Sequence, residues 1–497
     1  MNVTQQIKHF TARLLDALMA YARRFSQHIG YAFHQGSIRL TAYTGCAATE
    51  IGGDTTSRSF KLASTRDYAI NADLEEFRDM RMVVVDEVSF LDHDRELRKL
   101  SDRLQSFTQC QEYKYGRCPI VFLGDFRQLA PVSGTSILLS PKSLFWEHAI
   151  SCMVELKGTH RFDECPTMKR IMPRLHQKGL SEEDRAILNT RVIDGDNVKY
   201  PNLEEARIAS FYNTTRCNHN RHVFREYLKA HHSDSENTNI PRSAIVIKSK
   251  VYWGKSTQEL PPVFRKVLFE YCPDAMNSSD RNEKCDPFLT LIHGAPVMGT
   301  KNKDVSHGVA KGTCATFERL ICKAGHAPYP MKLHGRWVYG IDIENVDSLV
   351  LKWTDSKFEG TFKVKPESGL FKTKFPVWND NGNMHRSLQS ITIIHFPIIL
   401  NYGTTGHKLQ GKSLDCLVIT EWSRLENWAY VVLSRVRTLK GLYLTAPIPD
   451  DIDFDPSPHY LSMMAKLRNK QARPIDIDDL RSTTEYQWIV SQFEAFA

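Results

Sequence analysis

The chain has 497 residues, of which 41% are hydrophobic and 25% charged, and these proportions exclude a disordered chain, a collagen-like fibre and a small disulfide-stapled module. Because single cores stop growing at roughly 250–300 residues, the length predicts at least two domains. The net charge of +8 suits a partner that carries phosphates without requiring one. The 11 cysteines are scattered and form no C-x-x-C pair, which favours reduced thiols over a zinc site or a disulfide framework.

The first 28 residues combine apolar positions at helical spacing with an excess of positive charge. Between Thr4 and Gln27 the only acidic residue is Asp16. This profile is typical of a mitochondrial presequence, and it also fits a domain helix that leads into a strand. We favour the domain helix, because the strand-like run Ile38–Ala42 follows after only a short loop.

Three short apolar runs in the first half predict parallel strands that are buried on both faces of a sheet. The runs are Ile38–Ala42, Met82–Val85 and Pro119–Leu123. Each run is followed at once by small or polar residues. Since ligands bind at the carboxyl ends of strands in such sheets, the sequence predicts a functional site there.

The second and third runs deliver the groups that nucleotide hydrolysis needs. Asp86 can hold a hydrated Mg²⁺, and the adjacent Glu87 is placed to activate the attacking water. Gln128 follows the third run, and its amide can donate to a phosphate oxygen and accept from that water. The alternatives are two solvated acids at an ordinary strand end and a β-turn punctuated by Pro131. Because the two signals occur on successive strands, we favour the catalytic interpretation.

These two segments resemble the Walker B and third motifs of superfamily-one helicases, specifically the RecD-like and Pif-type (petite integration frequency) branch. Other segments are similar to the remaining motifs of that branch and follow the family order. They are Thr41–Ala48 for motif Ia, Glu155–Arg161 for motif IV, Gly294–Asn302 for the segment between motifs IV and V, Thr404–Gly411 for motif V and Ala429–Thr438 for motif VI. The resemblance therefore covers most of the chain.

The resemblance implies an α/β fold with two RecA-like P-loop NTPase domains, whose parallel sheets are flanked by helices, and a small inserted β module. We assign residues 1–148 to the first RecA-like domain, 149–304 and 391–450 to the second, 305–390 to the inserted β module and 451–497 to a C-terminal tail. Further regular structure is expected at Ile391–Leu400, Cys416–Thr420, Gly441–Thr445 and, as a helix, Ser457–Lys470.

The resemblance also implies the roles of individual residues. Arg435 would be an arginine finger from the second domain, and Arg161 a second cation at the same cleft, although a lone arginine more often forms a salt bridge. The residues that bind ATP with Mg²⁺ would be Asp86, Glu87, Gln128, Arg161 and Arg435. Asp86 would be the metal ligand, and the other four would be catalytic. The residues that contact DNA would be Thr44, Gly45, Ser59, Thr405 and His407.

The chain departs from the family pattern at several positions. Phe162 stands where motif IV usually has Gln, and Trp428 where Gln is common at the start of motif VI. In motif V, Gly406 replaces an aliphatic residue and Leu409 replaces Ser. Each change is either neutral or a weakening of the coupling between ATP and DNA.

The largest departure concerns the phosphate-binding loop. Family members begin with G-x-x-G-x-G-K-S/T, and no such pattern stands ahead of the predicted helix at Thr4–Gln27. Gly406–Ser413 does satisfy the spacing G-x-x-x-x-G-K-S, but motif V already accounts for these residues and they follow the Walker B-like acids far along the chain. We interpret the match as a decoy. A second candidate, Gly254–Ser256, has Ser249 where the first glycine should be.

The family implies an ATP-dependent DNA helicase that moves 5′→3′ on single-stranded DNA or at DNA forks. It further implies a monomer that acts in genome maintenance (repair, recombination, telomere maintenance), in the nucleus or else the mitochondrion. No apolar run approaches the ~20 residues that cross a bilayer, so no membrane partner is expected.

Two hypotheses remain open. One is an active motor whose chain, as given, lacks its amino-terminal strand and phosphate loop. The other is a catalytically inactive, transposon-derived remnant that binds DNA or a partner. The Walker B motif, the third motif and motif VI retain side chains that are useful only for hydrolysis. Their retention favours the first hypothesis.

Overall fold

The computed structural model describes most of the chain. The described residues are 33–63, 75–130, 136–137, 149–155, 160–202, 206–231, 243–261, 277–278, 288–305, 307–333, 335–354, 358–378, 384–452 and 454–470, with the single positions 19, 23, 24, 27, 30, 264 and 381. Most of the helix expected at Thr4–Gln27 lies outside them, and its four described positions are helical. Within the described residues, no helix has the length and apolar character needed to span a bilayer.

The first sheet contains four parallel strands, three of which occur where the apolar runs predict them. The strands are β1 (Ile38–Ala42), β2 (Asp54–Thr55), β3 (Met82–Asp86) and β4 (Ile120–Phe122), in the spatial order β2-β1-β3-β4. The helices of this part are α1 (Gly45–Ile51), α2 (Thr56–Ser59) and α3 (Arg98–Thr108), which follows a π-helical segment at His93–Leu97. Single 3₁₀ turns occupy Gln35–Ser37, Val88–Phe90 and Lys114–Arg117.

Helices cover both faces of this sheet, which explains why its strands are continuously apolar. Val83 and Val85 of β3 pack in one cluster with Leu100 and Leu104 of α3. Val84, which points to the opposite face, packs with Ala48 and its neighbours in α1. The sheet is therefore sandwiched between helices, and its carboxyl edge is left for polar residues.

The middle of the chain begins with helices and continues with many strands. After a 3₁₀ turn at His160–Phe162 come α4 (Pro166–Lys178), α5 (Glu182–Asn189), β5 (Arg207–Ser210) and α6 (Asn213–His231). The strands that follow are β6 (Ala244–Lys248), β7 (Lys250–Trp253), β8 (Asn277–Ser278), β9 (Phe288–Ile292), β10 (Pro296–Gly299), β11 (Cys314–Cys322), β12 (Tyr329–Leu333), β13 (Arg336–Asp342), β14 (Val346–Trp353), β15 (Thr361–Val364), β16 (Glu367–Trp378), β17 (Met384–His395) and β18 (Ile398–Leu400). A 3₁₀ turn at Ile343–Asn345 separates β13 from β14.

These thirteen strands form three mostly antiparallel sheets. Their orders are β15-β14-β11-β10-β18, β12-β13-β6-β9 and β7-β17-β16-β8. Strands β6 to β10 and β18, which the sequence assigns to the second RecA-like domain, thus share sheets with strands of the inserted β module. The domain boundaries near residues 304 and 391 stay a prediction.

The second parallel sheet is assembled from distant parts of the chain. Its remaining elements are β19 (Gly403–Thr405), α7 (Gly406–Leu409), β20 (Leu417–Ile419), α8 (Trp428–Leu433) and β21 (Leu442–Leu444), with a 3₁₀ turn at Leu439–Gly441. The strand order is β19-β5-β20-β21, and every neighbouring pair is parallel. Its core includes Ala209 and Leu417 from the strands and Met168 and Ile171 from α4.

The segment after β21 returns to the first sheet. Ile452 and Phe454 pack in the core of the second sheet, whereas α9 (Pro458–Arg468) places Tyr460 and Met463 in the core of the first. The predicted C-terminal tail therefore contains a docked helix, close to the predicted limits of 457–470.

Candidate active site

The predicted acidic pair lies at the carboxyl end of β3. Asp86 is the last residue of that strand, and Glu87 follows it in the left-handed region, with φ 57° and ψ 41°. The backbone N–H of Glu87 donates to Asp86 Oδ1 at 2.8 Å. A left-handed conformation is uncommon for a residue with a Cβ, and such strain concentrates at functional sites. The turn therefore marks this strand end as a candidate site.

The segment after β4 brings a third polar group to this region. Asp125 Oδ1 accepts from the backbone N–H of Arg127 at 2.8 Å, and Asp125 O accepts from the N–H of Gln128 at 3.3 Å. The side-chain oxygen Oε1 of Gln128 is buried and has no hydrogen-bond partner among the described residues. Because buried acceptors are nearly always satisfied, this one suits a donor from outside the described residues, such as a water or a ligand.

Two arginines reach the same region from the second parallel sheet. Arg161 lies in the 3₁₀ turn before α4, and its Nη1 donates to Ser434 O at 2.6 Å. Arg435, which is only 3% exposed, follows α8 and donates from Nε to Val431 O at 2.8 Å and from Nη2 to Ser434 Oγ at 2.7 Å. The two guanidinium groups thus share Ser434 as a partner.

The electrostatics connect the arginines with the acids of the first sheet. Burial lowers the pKa of Arg435, and Tyr430, Asp125 and Glu87 oppose that shift. Burial also lowers the pKa of Arg161, to about 9, and the nearby positive charge of Arg435 adds to the shift. Two adjacent cations, one of them buried and the other half-buried, are stabilised by a bound anion. The cleft is therefore suited to a phosphate group.

Asp125, His176 and Tyr430 complete the cluster. The sequence does not mark these three as site residues. Burial would raise the pKa of Asp125, but hydrogen bonding and attraction from His176 outweigh it, so the pKa is lowered. His176 Nε2 lies 3.7 Å from Asp125 Oδ1, and its ring contacts Tyr430 edge-on, with centroids 5.3 Å apart. Burial raises the pKa of Tyr430, which therefore stays a neutral phenol. No local pattern marks His176, because it lies inside α4.

The acidic pair also fits the metal that nucleotide hydrolysis uses. Mg²⁺ prefers oxygen ligands and is commonly held by one or two carboxylates together with phosphate oxygens. Asp86 offers such a carboxylate at the strand end, next to Glu87. Across the described residues no group of three or more His, Cys, Asp or Glu side chains could hold a metal alone. The donor set therefore fits Mg²⁺ bound together with a nucleotide.

Three of the predicted DNA contacts lie after β1 and β2. Thr44 caps α1, and its Oγ1 accepts from the backbone N–H of Ala47 at 3.2 Å. Gly45 begins α1, and a Cβ at this position would clash with the side chain of Asn302. Ser59 is the half-buried last residue of α2. The motif Ia turn is therefore packed closely against the loop between β10 and β11.

The other two predicted DNA contacts belong to motif V. Thr405 ends β19 and is buried, whereas His407 lies one residue into α7 and is half-buried. Burial lowers the pKa of His407, which interacts with the backbone of Ala130. The side-chain amide of Gln410 bonds to the backbone of Leu129. Motif V thus packs against the segment after Gln128, rather than directly against the motif Ia turn.

The structure agrees that Gly406–Ser413 is not a phosphate-binding loop. In such a loop the helix begins near the Lys-Ser pair, so that its N-terminus faces the phosphate. Here the short helix α7 begins at Gly406 and ends at Leu409, before Lys412. The Nζ of Lys412 donates to Gly312 O and to Cys314 Sγ. This lysine therefore ties motif V to the loop that precedes β11.

Two of the departures from the family pattern contact each other. Trp428 is fully buried, its indole Nε1 donates to Glu421 O at 3.3 Å, and its ring lies against the Cα of Gly406. A Cβ on Gly406 would clash with the indole ring. Gly406 in motif V therefore leaves the space that Trp428 in motif VI fills. The two departures from the family pattern compensate for each other. Packing against Trp428, and not phosphate binding, explains why residue 406, the first position of the G-x-x-x-x-G-K-S match, is a glycine.

A double-mutant cycle tests this compensation. Gly406→Val should overpack the contact and cost about 1–3 kcal/mol, while Trp428→Gln should leave a cavity and cost about 3–5 kcal/mol. The double variant should be more stable than the sum predicts, by about 0.5–3 kcal/mol, because valine refills the space. The free energy of unfolding in denaturant for the four proteins measures the coupling. If the losses in the free energy of unfolding of the two single variants simply add in the double variant, the compensation is contradicted.

The fold and this site define a class. Two parallel sheets flanked by helices, one carrying adjacent acids and a buried amide and the other two arginines, form an α/β core of the RecA-like, two-domain type, and the predicted fold class is confirmed.

Comparison with known proteins shows which family the chain resembles. A model described as PIF1-like helicase matches residues 25–171. The ATP-dependent DNA helicase PIF1 of Xenopus laevis is 26% identical over 470 residues, which cover 89% of this chain and 60% of the relative. These matches confirm the predicted resemblance to the Pif1-type branch of superfamily-one helicases. The chain spans 55–60% of the length of the three PIF1 relatives from Xenopus laevis, Danio rerio and Homo sapiens.

Solved structures share the fold. Pif1 helicase from Bacteroides in complex with ADP-AlF3 and single-stranded DNA matches with a TM-score of 0.58 and 16% identity, covering 88% of this chain and 89% of that one. Pif1 helicase from Candida albicans matches with a TM-score of 0.58 and 18% identity, covering 92% of this chain and 93% of that one.

Proposed function

We propose that the chain is an ATP-dependent DNA helicase that moves 5′→3′ along single-stranded DNA. The observation that carries the proposal is the meeting of acids and Gln128 from the first sheet with Arg161 and the buried Arg435 from the second. The electrostatic interaction of Arg435 with both Asp125 and Glu87 supports this arrangement. A site divided between two domains can couple a change in the nucleotide to a movement of the domains.

Each residue then has a defined role in phosphoryl transfer. Asp86 would hold Mg²⁺, which supplies charge neutralisation on the phosphates when it is bound. Glu87 accepts the proton of the attacking water, and the unsatisfied Oε1 of Gln128 orients that water. Arg161 and Arg435 stabilise the negative charge that develops on the transferred group.

Single-stranded DNA, including the single strand at a fork, is the proposed partner. The chain would contact it through the motif Ia residues Thr44, Gly45 and Ser59 and through Thr405 and His407 of motif V. Backbone N–H groups and hydroxyls at such turns bind phosphates without reading the sequence. We further propose a monomer that acts in genome maintenance (repair, recombination or telomere maintenance), in the nucleus or else the mitochondrion.

A catalytically inactive, transposon-derived relative that binds DNA or a partner is the second candidate. One observation favours it: residues 1–37 contain no G-x-x-G-x-G-K-S/T pattern. An active motor would then obtain its phosphate loop from sequence upstream of the 497 residues. Both candidates predict DNA binding, and they differ in hydrolysis.

DNA-stimulated ATP hydrolysis separates these candidates. The 497-residue chain and a version extended upstream in its reading frame are each tested with single-stranded DNA. We expect the extended chain to hydrolyse ATP when DNA is present and to unwind a duplex with a 5′ overhang in preference to a 3′ overhang. DNA binding without hydrolysis by either version would support the inactive relative. Preference for the 3′ overhang would contradict the proposed direction.

A further inference from the structure

Arg127 belongs to the turn after β4, yet its side chain is buried in the second half of the molecule. It is 2% exposed and is among the largest fully enclosed side chains of the described residues. Nη2 donates to Leu175 O at 3.1 Å and to Phe454 O at 3.0 Å, and Nη1 donates to Asn427 Oδ1 at 2.8 Å. Burying a guanidinium is costly unless its donors are satisfied, and the bonds from Nη1 and Nη2 therefore stabilise a defined position, while the buried Nε has no partner among the described residues.

The partners of Arg127 come from three separate elements of the second half. Leu175 lies near the end of α4 and packs, with Phe454, in the core of the second parallel sheet. Asn427 precedes α8, the helix of motif VI. The guanidinium also lies 5.5 Å from the ring of Tyr430 and 5.8 Å from the ring of Tyr460, in cation–π geometry. The side chain of Arg127, from the turn that follows β4, is thus held by motif VI, α4 and the C-terminal segment.

The neighbour of Arg127 in the chain is Gln128, which is proposed to orient the attacking water. Gln128 O accepts from Asn427 Nδ2 at 3.2 Å, so the same asparagine binds both residues. The backbone N–H of Arg127 is fixed as well, by Asp125 Oδ1 at 2.8 Å. The position of Gln128 therefore depends on two sets of contacts with the second half of the molecule. One set is made by the side chain of Arg127, and the other is the bond from Asn427 to the carbonyl of Gln128 itself.

We propose that Arg127 is a positioning residue, which together with Asn427 sets Gln128 for catalysis only when the two halves of the molecule are in contact. This inference rests on the proposed ATP hydrolysis. When the halves separate, Arg127 would leave its carbonyl partners, and Gln128 would lose the hydrogen bond from Asn427. The turn after β4 would then communicate the relative position of the two halves to the nucleotide.

The test compares Arg127→Met, which removes all the donors at similar length, with a matched control. Arg185→Met is that control, because Arg185 also donates to backbone carbonyls, those of Ile448 and Pro449, and lies over the ring of Phe454 without contacting the first sheet. We expect Arg127→Met to lower kcat of the extended chain by about 10²-fold, with KM for ATP within threefold, because misplacement by about 1 Å has that effect. Arg185→Met should retain kcat within threefold.

Two further variants guard against a simple loss of folding. Arg127→Lys keeps the charge and should recover part of kcat, and Asn427→Asp keeps the acceptor for Arg127 while removing the donor to Gln128. Asn427→Asp should lower kcat in the same way as Arg127→Met. Equal losses of kcat in Arg127→Met and Arg185→Met, or full activity of Arg127→Met, would overturn the proposal.

Hydrogen exchange in the absence of nucleotide provides a readout that is independent of activity. Amides of residues 125–130 should exchange faster in Arg127→Met than in the unsubstituted chain or in Arg185→Met. Unchanged exchange there would overturn the positioning role, whatever the activity. If exchange rises as expected but the unsubstituted chain hydrolyses no ATP, the positioning contacts are supported and the proposed function fails instead.

Discussion

Arg435→Ala is expected to lower kcat of DNA-stimulated ATP hydrolysis by about 10³–10⁵-fold, the range that an arginine finger supplies. Arg435 is buried beside Arg161 and interacts electrostatically with Glu87 and Asp125 across the cleft. Its charge is already desolvated, so little reorganisation is needed when negative charge develops on the phosphate. Steady-state hydrolysis with saturating single-stranded DNA measures the effect.

The same motif provides the control for this prediction. Arg437 lies two residues further on, where it is half-buried and pairs with the exposed Asp415 at 2.9 Å. Arg437→Ala should change kcat by less than threefold, because exposed pairs contribute little. If Arg435→Ala folds normally and loses only a few-fold in kcat, Arg435 is a structural salt-bridge or hydrogen-bonding residue and not a finger.

Glu87→Gln is expected to abolish DNA-stimulated hydrolysis, with a loss of at least about 10²–10⁴-fold, while single-stranded DNA is still bound. Glutamine has nearly the same shape, so the left-handed turn at this position and the bond from its N–H to Asp86 should persist. What is lost is the group that accepts a proton from the attacking water. Hydrolysis and DNA affinity are measured on the same preparations.

The control for this prediction is Glu75→Gln, which changes an exposed carboxylate paired with Arg78 in the same half of the molecule. It should leave both hydrolysis and DNA affinity within twofold of the unsubstituted chain. Full turnover by Glu87→Gln would show that the water is activated by another residue. Loss of DNA affinity in Glu87→Gln would show instead that the substitution acts on the DNA site.

The parallel strands were predictable because their residues carry the signal locally. Ile38–Ala42 was predicted and is observed as β1, and the runs at 82–85 and 119–123 contain β3 and β4 within one or two residues. Strands buried on both faces must be continuously apolar, so composition alone marks them. Ile391–Leu400 was less informative, because its residues divide between β17 and β18 in two antiparallel sheets.

The contacts of the site were less predictable, because they join residues far apart in the chain. Gly406 and Trp428 were noted as two separate departures, and only their contact shows that each explains the other. Arg127 lies in a motif that was identified, but its bond to Phe454 O spans 327 residues and leaves no local pattern. Residues that act through such contacts can be recognised only once the fold brings them together.

The return of the chain at α9 limits how the two halves can move. The segment at 149–155 leads from the first sheet to the second, and the segment at 452–460 leads back. The first connection is bonded to the end of α9: Met153 N–H donates to Lys470 O at 2.9 Å, and Arg468 pairs with Glu155 at 2.8 Å. Because α9 packs in the core of the first sheet, these bonds tie the start of the connection to that sheet. A movement of residues 149–155 away from the first sheet would therefore have to break them.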